Sequence, residues 1–485
     1  MSEQSILSNR LYNNKSIEKF ITLISNTTGL SHSASATTAG VVVLTATILF
    51  AWKQTRLTRK IIPLVGIPVP KGALPIVGHL PLLGTDLAET FRKWHKELGP
   101  IFRIKMGSKD VVIVGDPVLT QELLATNGKY TSNRPDSFSA HDFGQGTPKG
   151  LVLGEANNKR WNAARRIAIL LFFNNLFLSY IAIDTLGPKR TEEQTPVLSK
   201  EADEFVDLVA TGENINPLQA LTRVSLNFIL LTMCNTRTAS IEDPFYKQST
   251  NIINSFMELT DPKYVISFLI PSLQLLEPLT GDQKRVRNFF QQKSRPYFES
   301  LIEKGLNADG DNMVKTMNNE LNQGKRGNYN EIIHIVHDII IAGTDTTAIS
   351  ITWGFLQIST KPDVQKKIQQ EIDAFVNKNG RTPQFHERNE VPYLTAVQRE
   401  CIRLRPTTDF AVTHIANEDF EWRGNFIPSQ TWFFPNMVEA HMDPKKYPNP
   451  REFRPERFLD QEDTMASSLH RKVEDRDQFN FGWGR

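Results

Sequence analysis

Three observations predict a mainly α-helical fold with small β-sheets, preceded by an N-terminal transmembrane helix. Residues 21–52 carry no Asp, Glu, Lys or Arg. From about Thr85 onward helical periodicity predominates, and its longest apolar run lies between Ile332 and Ser359. Strand character is confined to short runs.

The first element is a membrane anchor spanning about 34–52, where an apolar run from Ala39 to Trp52 follows small residues at 34–38. Together they approach the ~20 residues that cross a bilayer as a helix. Trp52 sits where an interfacial aromatic belongs, and Lys53, Arg56, Arg59 and Lys60 follow at once. The positive-inside rule then places the bulk of the chain in the cytosol and the leader in the lumen. Two sequons, Asn14-Lys15-Ser16 and Asn26-Thr27-Thr28, fall on that lumenal side. A secretory signal peptide would begin nearer Met1 and end in a small-residue cleavage site, not a basic cluster.

Residues 1–60 therefore read as a leader plus anchor. Residues 61–84, with Pro63, Pro68, Pro70, Pro75 and Pro81 among glycines, read as an extended hinge. Residues 85–485 read as one large domain, since no composition break divides them. Within it Leu87–Leu98 is helical, and Ile101–Met106 and Val111–Val114 are strands joined by a turn at Gly107-Ser108. A second extended pair flanks Arg423-Gly424-Asn425, and the polar stretch from Gly305 to Asn330 reads as a loop. Ile167 to Ile183 is apolar on nearly all sides. That suits a deeply buried helix, a second membrane span or mispredicted coding sequence, and the transcript across it would decide.

Composition excludes several classes. A net charge of +3 is too mild for a nucleic-acid surface. Cys234 and Cys401 make neither a disulfide framework nor a C-x-x-C zinc site, which suits a reducing compartment. A hydrophobic share of 40% suffices for a substantial core.

Three weak motifs carry chemistry. Ala342-Gly343-Thr344-Asp345-Thr346-Thr347 interrupts a strong helical pattern with poor helix formers. Such a conflict marks either a kink or a site where propensity has yielded to function. Small residues at 342 and 343 let a planar cofactor approach the backbone, while Thr346 and Asp345 offer groups that handle protons. Glu400 and Arg403 share a helix face that Pro406 ends, which on a surface would contribute only about 0–1 kcal/mol. Arg457, in Phe453-Arg454-Pro455-Glu456-Arg457-Phe458, can add a second guanidinium and turn the pair into a buried network. Trp161 and Arg165, four residues apart, present two hydrogen-bond donors to a carboxylate, or play a structural role.

The chain closes on Phe481-Gly482-Trp483-Gly484-Arg485. This run resembles the opening of the haem-binding loop of the cytochrome P450 monooxygenases, and the order of the motifs resembles that family over roughly residues 60–485. In the family a Cys whose thiolate ligates iron follows shortly, so the chain is expected to be incomplete just before its axial ligand. The resemblance implies the cytochrome P450 fold and haem b as cofactor. It implies O2 activation assisted by Asp345 and Thr346, with Ala342 and Gly343 over the distal face. Trp161, Arg165 and His414 would bind propionates, Phe481 would pack beside the thiolate, and Glu400, Arg403 and Arg457 would form the structural triad. The residues between Asn133 and Gly154 and from Phe410 to Thr413 would set specificity.

The implied partners are NADPH-cytochrome P450 reductase, a small and apolar organic substrate, and the endoplasmic reticulum membrane, with the catalytic domain cytosolic. Two other readings stand beside the monooxygenase. One is a non-catalytic, haem-free homologue acting as a membrane-bound interaction protein. The other is an isomerase or lyase of the same fold, less in keeping with the acid and threonine at 345 and 346.

Overall fold

The computed structural model describes residues 64, 66–135, 154, 188–259, 262–276, 280–322 and 329–484. The expected anchor at 34–52, Trp161, Arg165 and the apolar stretch 167–183 lie outside them.

Helix α1 (Leu87–Leu98) starts where the Asp86 carboxylate accepts the Glu89 N–H at 2.8 Å. It ends at Gly99, whose φ of 99° only glycine adopts readily. Strands β1 (Ile101–Met106) and β2 (Lys109–Val114) then pair antiparallel, from Ile101 against Val114 to Met106 against Lys109. Their alternating side chains bury Phe102, Ile104, Val111 and Ile113.

Most of the helical mass follows. It comprises α2 (Pro188–Ala210), α3 (Pro217–Cys234), α4 (Pro244–Leu259), α5 (Pro262–Leu269), α6 (Asp282–Phe289), α7 (Arg295–Asn307) and α8 (Met313–Asn322). The long α9 (Tyr329–Ser359), α10 (Pro362–Asn379) and α11 (Pro392–Leu404) complete it. Helix α9 lies along α3 and is also packed by α7 and α8. Leu226, Leu230 and Met233 of α3 and Ile332, Ile333, Val336 and Ile340 of α9 share one buried cluster. Each such side chain contributes about 1.5–3 kcal/mol when fully buried. Among the described residues α9 alone is long and apolar enough to cross a membrane, yet its N-terminal half is the centre of this core.

The chain returns to the sheet through β3 (His414–Ile415), β4 (Phe420–Trp422), β5 (Asn425–Ile427) and β6 (Trp432–Pro435), then α12 (Met437–His441). The larger sheet has the order β1-β2-β6-β3, with β6 parallel to β2 and antiparallel to β3. Strands β4 and β5 form a hairpin whose turn places Arg423 at φ 50° and Gly424 at φ 72°. Two successive left-handed residues are the tight connection that matches strand twist.

Two expectations need correction. The polar stretch from Gly305 to Asn330 is not all loop, because Met313–Asn322 is helical. Asn312 caps it by accepting the Lys315 N–H at 2.9 Å, and Met313, Val314 and Met317 are buried against α3, α7 and α9. Three apolar residues at helical spacing suffice once a neighbouring surface receives them. The proline-rich segment is likewise no free spacer from residue 66 on. Pro68 offers its carbonyl to the Arg103 N–H at 2.8 Å, His79 exchanges bonds with Lys105, and Leu64 and Ile67 are buried. Proline cannot donate to a ladder but can accept from one, so this run lines β1.

Candidate active site

The Ala342 to Thr347 motif lies within α9 and does not break it. Thr344 Oγ1 donates to the Ile340 carbonyl at 2.6 Å, Thr346 Oγ1 to Ala342 at 2.7 Å, and Thr352 Oγ1 to Ala348 at 2.7 Å. Bonding back to the preceding turn is how threonine is tolerated in a helix interior. Gly343 faces α3, where an added Cβ would stand 2.7 Å from Ile229 Cδ1. The close approach it permits is therefore helix against helix. Ala342 and Thr346 are exposed, whereas Ile341, Thr344 and Ala348 on the remaining faces are buried. Asp345 is partly buried, and that burial holds its carboxyl above the usual carboxylate range. One turn on, Ser350 Oγ donates to the Thr346 carbonyl and shares a hydrogen bond with Thr407 Oγ1, both at 2.8 Å.

Helix α11 packs against α9 from the other side and carries Glu400 and Arg403, both fully buried. Arg403 grips the carboxylate bidentately, Nε to Oε2 at 2.6 Å and Nη2 to Oε1 at 2.8 Å. The Arg454 N–H adds a third donor at 2.9 Å and Arg457 Nε a fourth at 3.3 Å. The remaining guanidinium protons go to backbone carbonyls, Arg403 Nη1 to His441 at 2.9 Å and Arg457 Nη2 to Asn449 at 2.8 Å. A buried charge cluster stands only when every donor and acceptor is matched in this way.

The terminal segment runs beside α11 and α12. Phe479 and Trp483 are buried and stacked, with ring centroids 5.3 Å apart, while Phe481 is 59% exposed. Gly484 touches the chain near Leu124, where a Cβ would overlap the carbonyl at 2.1 Å. His414 is buried in β3 and its Nδ1 donates to the Thr131 carbonyl at 2.7 Å. Burial, aided by the Arg134 charge, pushes its pKa down to about 3, so the ring is neutral with its proton on Nδ1. Its Nε2 would have to gain a proton before donating to a carboxylate. A propionate nearby would favour that protonation.

Sequence reasoning missed three participants. Arg134 acts electrostatically on His414, Thr407 meets Ser350, and His441 joins the Glu400 cluster to Phe479. Their partners lie far off in sequence, so no local spacing announces them.

These residues fit a flat cofactor such as haem, because a small side chain and a hydroxyl stand open on α9 just past its buried N-terminal half. They do not provide the thiolate. Cys234 is fully buried within the α3 cluster and Cys401 is buried between α10 and α11, and burial pushes both thiols up to about 12.

The family described as cytochrome P450 matches residues 68–485. Cytochrome P450 1A1 of Rattus norvegicus is 28% identical over 86% of this chain and 80% of its own length. The steroid 17-alpha-hydroxylase/17,20 lyase of Homo sapiens is 28% identical over 83% and 80%, and the carnosic acid synthase of Rosmarinus officinalis 26% over 82% and 78%. The chain belongs to the cytochrome P450 family of haem-dependent monooxygenases and is an oxidoreductase by that membership.

Proposed function

We propose that the chain acts as a membrane-anchored monooxygenase that oxidises a small, apolar organic substrate with electrons from NADPH, delivered by a cytochrome P450 reductase. The observation that carries this reading is the exposed stripe of Ala342 and Thr346 beside the partly buried Asp345. When bound, haem supplies O2 activation and transfer of one oxygen atom. The residues of this chain do the rest. Ala342 leaves room for a flat group against the helix. Asp345, its proton held more firmly by burial, is a store from which Thr346 can pass protons inward.

Glu400, Arg403 and Arg457 hold the segment that leads to the Phe-Gly loop, and touch no substrate. The axial thiolate comes from neither Cys234 nor Cys401 on this reading, since both thiols are buried in helical clusters away from α9's open face. The anchor at 34–52 and the basic cluster after it set the domain on the cytosolic side of the endoplasmic reticulum. Trp161, Arg165 and His414 complete the proposal as propionate ligands.

The test is Thr346→Ala in the haem-loaded protein. Haem content should be unchanged while product formed per NADPH consumed falls. Equal coupling in variant and parent would refute the role. A haem-free interaction protein is the second reading, favoured by the burial of both thiols as neutral groups. A reading frame that continues past Arg485 to a cysteine, and a thiolate-type spectrum of the reduced carbon monoxide complex, would exclude it.

A further inference from the structure

We propose that His441 is a positioning residue that couples the buried Glu400–Arg403 pair to the loop carrying Phe481 and Gly484. It does so by accepting the Phe479 N–H on its imidazole while its own carbonyl accepts from Arg403. The inference deepens the proposed function, and depends on that reading only in taking this loop as a border of the haem.

His441 closes α12 and is fully buried. It is held from both ends, since Phe479 N donates to its Nε2 at 2.8 Å and Arg403 Nη1 donates to its backbone oxygen at 2.9 Å. The ring also lies on that of Phe479, 5.6 Å between centroids at 27°, and Phe479 in turn stacks on Trp483. An imidazole that accepts at Nε2 must carry its proton on Nδ1, and an imidazolium could not accept at all. The neutral form is secured by burial and by the charges of Arg403 and Lys446, which together push the pKa down to about 3.

Among the described residues Nδ1 finds no hydrogen-bond partner. A phenylalanine would fill the space without that cost, so the histidine is explained by what Nε2 does. Further ties hold the same segment, among them the Tyr447 hydroxyl to the Asp477 carbonyl at 3.0 Å, Asn480 Nδ2 to Ile402 at 3.3 Å, the Asp477 N–H to Ser468 Oγ at 3.1 Å and the buried Arg399–Asp477 ion pair. Losing the His441 contact should therefore loosen the segment without releasing it.

Amide hydrogen exchange on the full chain, followed peptide by peptide, tests this. His441→Phe keeps the ring stack and loses the acceptor, while His441→Gln keeps an acceptor at the reach of Nε2. Loss of one such bond corresponds to about tenfold faster exchange over residues 477–484 in His441→Phe. Exchange over α11 should stay within about twofold, and His441→Gln should stand close to the parent. Unchanged exchange over 477–484 in His441→Phe would overturn the proposal. Equal loosening of α11, or a His441→Gln chain as loose as His441→Phe or unable to fold, would overturn it too. Haem titration of the same variants separates the two readings. A loosened loop with unchanged haem affinity would leave the clamp standing and count against that loop as a haem border.

Discussion

The helical core around α9 and the module formed by α11, α12 and the segment from Pro455 to Trp483 are held by different forces. In the core, isoleucines and leucines of α3 and α9 interdigitate, and the threonine hydroxyls bond within their own helix. In the module, one carboxylate gathers four donors from three residues on two stretches of chain, and backbone carbonyls take up the protons left over. Packing of the first kind degrades gradually as volume is lost or gained. A matched polar cluster fails when one member goes, because the others stay buried without partners. The helical core around α9 is thus the adaptable region, and the module bearing the Phe-Gly loop is built to keep a single geometry.

The strongest way to break that contrast is Glu400→Ala. It leaves Arg403 charged and enclosed, and should cost about 3–5 kcal/mol in denaturant unfolding, with much of the soluble protein lost. A loss under about 1 kcal/mol would mean that water reaches the cluster and that the contrast is false.

Gly343→Val asks the same of the core. The new side chain meets Ile229, at 2.7 Å for the Cβ alone, so overpacking should cost about 1–3 kcal/mol. Adding Ile229→Ala opens space and should return part of that loss. Relief in the double variant, read from the same unfolding curves, marks a packing contact. No relief would place the strain in the helix backbone instead.

How much of this could be read beforehand follows from the range of each interaction. Helix α1, the hairpin of β1 and β2, and the span of α9 announce themselves because their patterns repeat over neighbouring residues. Glu400 and Arg403 are legible as a pair three residues apart, but their complete burial is not. Helix α8 is hidden because Asn, Lys, Thr and Glu outnumber its four apolar residues, and the surface that receives Met313, Val314 and Met317 is supplied by α3, α7 and α9. That Gly343 borders Ile229 is not legible either, because the neighbour lies on another helix. The parallel pairing of β6 with β2 joins Val112 to Phe433, and no local signal spans such a distance. His441 belongs to the same class, since its partner is a backbone N–H with no sequence signature.

Acid sharpens the comparison, because each region buries a neutral histidine. His334 of α9 is pushed down to about 4, chiefly by desolvation, and His441 of the module to about 3 for the same cause. Both sit below the ordinary value near 6.5, so between that value and the folded one the unfolded chain binds more protons than the native chain. Stability is unaffected above about pH 6.5 and falls as the pH drops through the window. Each histidine costs about 2 kcal/mol at pH 5. His334→Leu should flatten unfolding free energy against pH down to about 4, and His441→Phe down to about 3. A slope unchanged by either substitution would mean that the ring reaches water in the native state.

The smallest effect lies where the two regions touch. Ser350 Oγ and Thr407 Oγ1 are 2.8 Å apart, one on α9 and the other just beyond α11. Ser350→Ala should cost about 1 kcal/mol, and Thr407→Val a similar amount. Joined in one chain they should cost little more than either alone, because each removes the same bond. Ser350 also donates to the Thr346 carbonyl, and one hydroxyl proton cannot serve both acceptors at once. Thr407 is then the donor and the Ser350 oxygen accepts, so additive losses in the double-mutant cycle would show that this contact contributes nothing. Non-additive losses would show that the adaptable side of the molecule is fastened to the rigid one at this point, one turn from Thr346.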